Sequence, residues 1–361
     1  MSDGLEGVIA ADTVLSEVDG QNGRLIIRGY PVEDLSGHTR FEEVAGLLLD
    51  GFFEDLPSDL TADLGRARAE VFAEVSALDV GLLARQPIEI MRALTARLAD
   101  GADLATALRL IAAPAVFTPA AIRAQSGQAP VAPDPNLGHA ADILRMLRGH
   151  TAEPREAAAL DAYLVTVCDH GLNASTFAAR VVASTQAGLT SAVLAGISAL
   201  KGPLHGGAPG PVIDMLNEIG APENARAWIE NALDHGERLM GFGHRIYKVR
   251  DPRADALKRA ITLVSEGSTT LPGRLAFAQA VEQAVLTILR ERKPNRPLDV
   301  NVEFYTALLL EALAIPPSAF TCTFAMGRVA GWIAHSREQL VGGRLIRPQS
   351  RYIGPMPRAA A

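Results

Sequence analysis

Three histidines sit where the chain should break between helices, and each break carries glycine and a polar neighbour. His170 stands in Asp169-His-Gly-Leu-Asn-Ala-Ser175, His205 in Lys201-Gly-Pro-Leu-His-Gly-Gly-Ala208, and His244 in Gly241-Phe-Gly-His-Arg-Ile-Tyr-Lys248. An imidazole at a helix end is an acid, a base or a hydrogen-bond donor near neutral pH, and flanking glycines let a ligand approach the backbone. The chain holds eight histidines in all, so surface-loop histidines are the bland alternative. The polar companions Asn173, Lys201 and Arg245 favour chemistry.

Other chemistries fit less well. No HExxH or HxxxH pair occurs, and no cysteine or carboxylate stands at ligand spacing, so no metal site is expected. Ser198-Ala-Leu-Lys201 matches SxxK without the companion motifs of a serine acyl-enzyme, and GxSxG is absent. Gly241-Phe-Gly243 has Ile246 where a third glycine would complete a dinucleotide loop, and no strand precedes it. Six arginines (328, 337, 344, 347, 351 and 358) against the single acid Glu338 make a local cationic region towards the C-terminus. Arginine holds carboxylates and phosphates bidentately, which suits an anionic substrate.

The elements that must position these groups are helical. The chain has 361 residues, 48% hydrophobic and 21% charged, enough for a sizeable core in one or two domains. Turn signals at Asp19-Gly20 and Asn22-Gly23, between Thr13–Val18 and Arg24–Arg28, predict a small β-hairpin. From there the periodicity predicts helices over 41–50, 60–77, 87–98, 104–111, 137–147, 154–169, 176–184, 189–200, 211–219, 225–237, 254–264, 275–292, 302–313 and 320–340. The helix at 189–200 has no polar face, which places it in the core or at a subunit contact. The fold class is all-α with one small N-terminal β-hairpin.

A net charge of −7, with only four lysines, argues against a general nucleic-acid binder. The acidic stretch Met1–Thr13 does not look like a signal peptide, and no apolar run looks long enough to span a membrane. Cys168 and Cys322 suggest no disulfide framework, and a reducing, cytoplasmic setting is expected.

Taken in order, the three histidine motifs, Asp251-Pro-Arg253, Asn301-Val-Glu-Phe-Tyr305, Arg347-Pro and the opening Arg28-Gly-Tyr-Pro-Val-Glu-Asp-Leu35 resemble the citrate synthase family over nearly the whole chain. The resemblance implies a two-domain helical homodimer, with a large domain at 1–206 and 314–361 and a small domain at 207–313. The site would lie between the domains and close over its substrates. The implied reaction condenses acetyl-CoA, as substrate rather than cofactor, with oxaloacetate to citrate and CoA. The nearest alternative is 2-methylcitrate synthase, acting on propionyl-CoA; a non-catalytic oxaloacetate- or CoA-binding paralogue is the alternative of another class. By the same resemblance Glu303 is the base, His205 stabilises the enol, and His244 acts on the ketone oxygen. His170, Asn173, Arg253, Arg328 and, from the other subunit, Arg347 face oxaloacetate, with Phe324 packed near the acetyl group. Gly241, Gly243 and Lys248, with Arg250, Arg344 and Arg351, would meet CoA. One departure is clear: the family usually has Asp where this chain has Glu303, one methylene longer.

Overall fold

The structure is a computed structural model that describes residues 3–5, 7–206, 209–243, 247, 249, 251–266, 268–292 and 298–356. Three short strands open the chain: β1 (Ser16–Asp19), β2 (Arg24–Ile27) and β3 (Tyr30–Pro31). Sixteen helices follow among the described residues. They are α1 (Val32–Leu35), α2 (Phe41–Leu49), α3 (Thr61–Val71), α4 (Val80–Leu83), α5 (Pro87–Thr95), α6 (Leu104–Gln125), α7 (His139–Arg148) and α8 (Pro154–Val167), then α9 (Ala174–Ala183), α10 (Leu189–Leu200), α11 (Pro209–Ile219), α12 (Ala225–Asp234), α13 (Pro252–Ser265), α14 (Leu271–Arg292), α15 (Val302–Ala312) and α16 (Phe320–Gly342).

The all-α class stands, and the expected hairpin is a three-stranded antiparallel sheet in the order β1-β2-β3. The extra strand arises from a two-residue turn in which Arg28 and Gly29 both have positive φ, 51° and 90°. That backbone suits a type I′ hairpin, for which arginine is an unusual residue. Arg28 is held there by its own side chain, which donates to the carbonyls of Leu47 (3.1 Å) and Asp50 (2.9 Å). On the other face of β2, Leu25 and Ile27 are wholly buried.

The largest difference from expectation is α6, which runs 22 residues to Gln125 and contains Pro114 and Pro119. Each proline removes one backbone donor, a local cost that burial offsets: Thr106, Ala107, Leu108 and every residue from Leu110 to Ala121 are buried, and only Arg109 interrupts the run at the helix edge. In length and composition α6 would also pass for a membrane span, contrary to the expectation from sequence, yet 83% of that stretch is covered by the rest of the fold. Trp332 of α16 lies against Gly196 of α10, where a Cβ would come within 2.7 Å of the indole. α8 packs against both α13 and α16.

One half-buried junction at the edge of this core carries a carboxyl with a raised pKa. Asp161 on α8 accepts the Phe41 N–H (3.0 Å), and burial, reinforced by the nearby Glu42 carboxylate, pushes its pKa up from 3.8 to about 7. The folded chain therefore holds a proton there that the unfolded chain gives up above pH 4, and stability declines as pH rises from about 4 to 7. Asp161→Asn keeps the acceptor and removes the charge. The difference between its thermal midpoint and that of wild type should grow by roughly 1–3 °C in the variant's favour between pH 5 and pH 8 in scanning calorimetry; an unchanged difference would contradict this account.

Candidate active site

The site is assembled at chain breaks and helix starts. The loop before α9 is fixed first. Ser16 of β1 bonds to Asp169 through its hydroxyl and also accepts the Gly171 N–H (2.9 Å), so the small sheet pins this loop from outside. Asn173 caps α9: its Oδ1 accepts the N–H groups of Ser175 and Thr176, both at 3.1 Å, and its Nδ2 donates to the Gly171 carbonyl (3.2 Å). The carboxamide oxygen is thus engaged in holding the helix start. His170 is buried, with Nε2 3.1 Å from the Tyr247 hydroxyl, and the Arg253 guanidinium stands 5.6 Å over the Tyr247 ring.

The second break follows α10. The Gly206 N–H bonds to the Leu200 carbonyl (2.9 Å), and a Cβ at 206 would come within 2.7 Å of that oxygen, so only glycine fits this tight reversal. Thr321 at the start of α16 holds the Gly206 carbonyl (3.0 Å). His205 is thereby presented with Nε2 2.8 Å from Ser175 Oγ and its ring edge-on to Phe324, 6.2 Å between centroids. Ser175 Oγ also accepts from the Trp332 indole N–H (3.1 Å) and donates to Asn173 Oδ1 (2.8 Å). Burial, with the Arg328 charge, pushes the His205 pKa down to about 4, so the ring is neutral at physiological pH.

The third region joins the segment 241–243 to the start of α15. Phe242 pairs with Val300, the Gly243 N–H bonds to the Asp299 carbonyl (2.8 Å), and the Asn301 N–H bonds to the Gly241 carbonyl (2.9 Å). Gly241 has φ 84°, and a Cβ there would lie 2.9 Å from Phe304 Cβ, so both conformation and space require glycine. Asn301 caps α15 through the Glu303 N–H (3.0 Å) and donates to the Gly243 carbonyl (2.7 Å). Burial pushes the Glu303 carboxyl up to about 7, Arg253 and Arg328 oppose the rise, and Asp251 adds to it.

Two guanidinium groups face this carboxyl region. Arg253 donates to Asp251 through Nε (3.0 Å) and Nη2 (2.8 Å). Arg328 donates from Nε to the Val167 carbonyl (2.6 Å) and lies 4.8 Å over the Phe324 ring. Among the described residues no carboxylate lies within ion-pair distance of Arg328, and burial lowers its pKa to about 10, which leaves it cationic at neutral pH. No group of three or more metal-ligating side chains occurs among the described residues.

His170, Asn173, His205, Arg253, Glu303, Phe324 and Arg328 therefore form a linked set, with Gly241 and Gly243 bonded to the segment that leads into Glu303. His244, Lys248 and Arg250 lie outside the described residues. Arg344, Arg347 and Arg351 are exposed on the extended segment after α16. That segment is tied by the Ile346 N–H to Ser184 Oγ (3.0 Å) at the C-terminal end of α9, whereas Asn173 and Ser175 stand at its N-terminal end. Nine residues of helix separate the two by about 14 Å, so the structure does not bring Arg347 to the site of its own chain. Sequence reasoning assigned no role to Asp251, whose Oδ2 also accepts the Val302 N–H (3.2 Å). Its place in Asp-Pro-Arg, an N-cap signature before proline, was the available signal. Lys201 pairs with Glu89 (3.3 Å).

The family model for the citrate synthase C-terminal domain matches residues 4–349. A citrate synthase of Haloferax volcanii is 38% identical over 97% of this chain and 95% of its own length. A 2-methylcitrate synthase of Mycobacterium tuberculosis is 35% identical over 97% of this chain and 90% of its own. The structure of Thermoplasma acidophilum citrate synthase, a ternary complex with carboxymethyl coenzyme A and oxaloacetate, superposes with a TM-score of 0.86 at 28% identity, covering 100% of this chain and 98% of that one. Helical fold and matches together define a condensing enzyme that transfers an acyl group. The chain belongs to the citrate synthase family.

The Asp251 carboxylate yields a direct test. Asp251→Asn removes the carboxylate charge that pairs with Nε and Nη2 of the buried Arg253, and breaking such a pair costs about 3–5 kcal/mol. The thermal midpoint at pH 7 should fall by several degrees, and a wild-type midpoint in the variant would show that the pair contributes little.

Proposed function

We propose that the enzyme condenses acetyl-CoA with oxaloacetate to give citrate and free CoA. Propionyl-CoA is the competing acyl donor, because one methylene is worth only about 1–3 kcal/mol of discrimination and relatives named for both reactions match this chain at similar identity. The observation that carries the reading is a part-buried carboxyl poised near neutrality, Glu303, together with a neutral histidine, His205, in a region that also holds two buried cationic guanidinium groups.

In this reading Glu303 removes a proton from the carbon next to the thioester carbonyl. Its raised pKa makes it a stronger base than an ordinary carboxylate while leaving about half of it ionised near pH 7. His205 donates to the thioester oxygen as the enol forms. Its Nε2 faces Ser175, so the nitrogen left for substrate is Nδ1. A neutral ring that donates from Nδ1 must accept at Nε2, which requires the Ser175 hydroxyl to turn its single proton from Asn173 Oδ1 to His205 Nε2, while the Trp332 N–H, which can only donate, feeds the same oxygen. Arg253, Arg328 and His170 hold oxaloacetate, His244 protonates its ketone oxygen as the enol carbon attacks, and Phe324 lies beside the acyl group. Hydrolysis of the citryl thioester releases CoA, held along Gly241, Gly243, Lys248 and the exposed arginines.

Arg347 is tethered at the far end of α9, which supports a homodimer whose site is completed by Arg347 of the partner subunit. The division into a large domain at 1–206 and 314–361 and a small domain at 207–313, and a cytoplasmic setting, belong to the same reading.

Thiol release from acetyl-CoA and propionyl-CoA, with and without oxaloacetate, tests it. Oxaloacetate-dependent release should be faster with acetyl-CoA; faster release from propionyl-CoA would reassign the acyl donor, and no release from either would reject the reading. Glu303→Gln should lower kcat by roughly 10²–10⁴. Because the base must be ionised, kcat/KM should rise about tenfold per pH unit below pH 7 and level off above it. A flat profile between pH 5.5 and 8 would remove Glu303 from the role of base.

A further inference from the structure

The region between the two arginines contains one more polar side chain. Tyr163 lies on α8, the helix packed between α13, which carries Arg253, and α16, which carries Arg328. It shares a helix face with Val167, one turn further on, whose carbonyl takes the Arg328 Nε–H at 2.6 Å. Next to it, the Leu164 backbone lies so close to Gly327 that a Cβ there would come within 2.8 Å of the Leu164 carbonyl, which fixes α8 against the turn that presents Arg328. Tyr163 is among the largest fully buried side chains, 1% exposed.

Its hydroxyl has no hydrogen-bond partner among the described residues, although the charges that act on it are Glu303, Arg328 and Arg253. A buried tyrosine hydroxyl normally finds a partner, and leaving one unmade costs free energy. Burial and the Glu303 carboxylate keep the proton on this oxygen well above the ordinary tyrosine range, so it is a donor at every working pH. A neutral donor without a partner, placed between two cations, matches an anionic oxygen that arrives with a ligand.

We infer that Tyr163 is a substrate-binding residue whose hydroxyl donates a hydrogen bond to the oxaloacetate carboxylate held by Arg253 and Arg328. This rests on the reading of oxaloacetate as the substrate. The hydroxyl adds a directional contact to two guanidinium groups that otherwise supply charge, and it fixes the rotation of the carboxylate relative to Glu303.

Calorimetric titration of oxaloacetate into the free enzyme, with no acyl-CoA present, separates binding from chemistry. Tyr163→Phe should weaken oxaloacetate binding roughly 10- to 100-fold, the size of a hydrogen bond to a charged group. Its ligand-free thermal midpoint should equal or exceed wild type, because the variant removes a hydroxyl that has no partner in the empty site. Wild-type affinity in the variant would overturn the inference while leaving the substrate assignment intact. A lowered ligand-free midpoint with unchanged affinity would assign Tyr163 a structural role instead. Absence of any heat with the wild-type enzyme would reject the substrate assignment and this inference with it.

Discussion

The Asp251 carboxylate is the point on which the anion-binding side of the site depends. It caps α13 through the Arg253 N–H, pairs with the Arg253 guanidinium on both oxygens, and accepts the Val302 N–H at the start of α15. One buried carboxylate thereby ties Arg253 to the helix that carries Glu303. An isolated buried charge of either sign would be very costly. Here Arg253 and Asp251 satisfy each other, and the backbone donor at Val302 occupies a remaining lone pair. Arg328 is arranged differently: its Nε is held by a carbonyl and its cation rests on Phe324, with no carboxylate in contact among the described residues. The two guanidinium groups are thus positioned by unlike means, one neutralised and one left with its charge available.

The same burial sets the protonation states that condensation chemistry requires. A carboxyl withdrawn from water is a stronger base than one at the surface, and a histidine withdrawn from water stays neutral. Glu303 and His205 are moved in these opposite senses by the same physical cause, loss of hydration of the charged form. Arg253 and Arg328 moderate the first shift, and Arg328 reinforces the second. Neither the extra methylene of Glu303 nor its position on α15 would produce this state at the protein surface.

The scaffold around these groups is unusual in what it tolerates. α6 accommodates two prolines because its surroundings bury the whole stretch 110–121 that contains them, and α10 and α16 approach closely at Gly196, where there is no Cβ to keep Trp332 away. That close approach carries the Trp332 indole to Ser175, and through Ser175 to His205. The N-terminal sheet, small as it is, reaches the site through Ser16, which braces the loop on which His170 stands.

From the sequence alone, the helical class, most helix positions and the ordered motifs could be read, because apolar spacing, glycine-proline breaks and Asn or Asp before a helix are local signals. The span of α10 came out as found, and α2 within a residue. What was not legible depended on partners distant in the chain. β3 exists because Arg28 reaches carbonyls about twenty residues away. α6 continues through its prolines because other helices cover it. Asp251 and Tyr163 are a common acid and an ordinary tyrosine until α8, α13, α15 and α16 meet around them. Residue types and their order identified which groups could do the chemistry; only tertiary burial decided which of them are neutral, which are charged and which are left without a partner, because hydration of an ionisable group is set by the whole fold rather than by its neighbours in sequence.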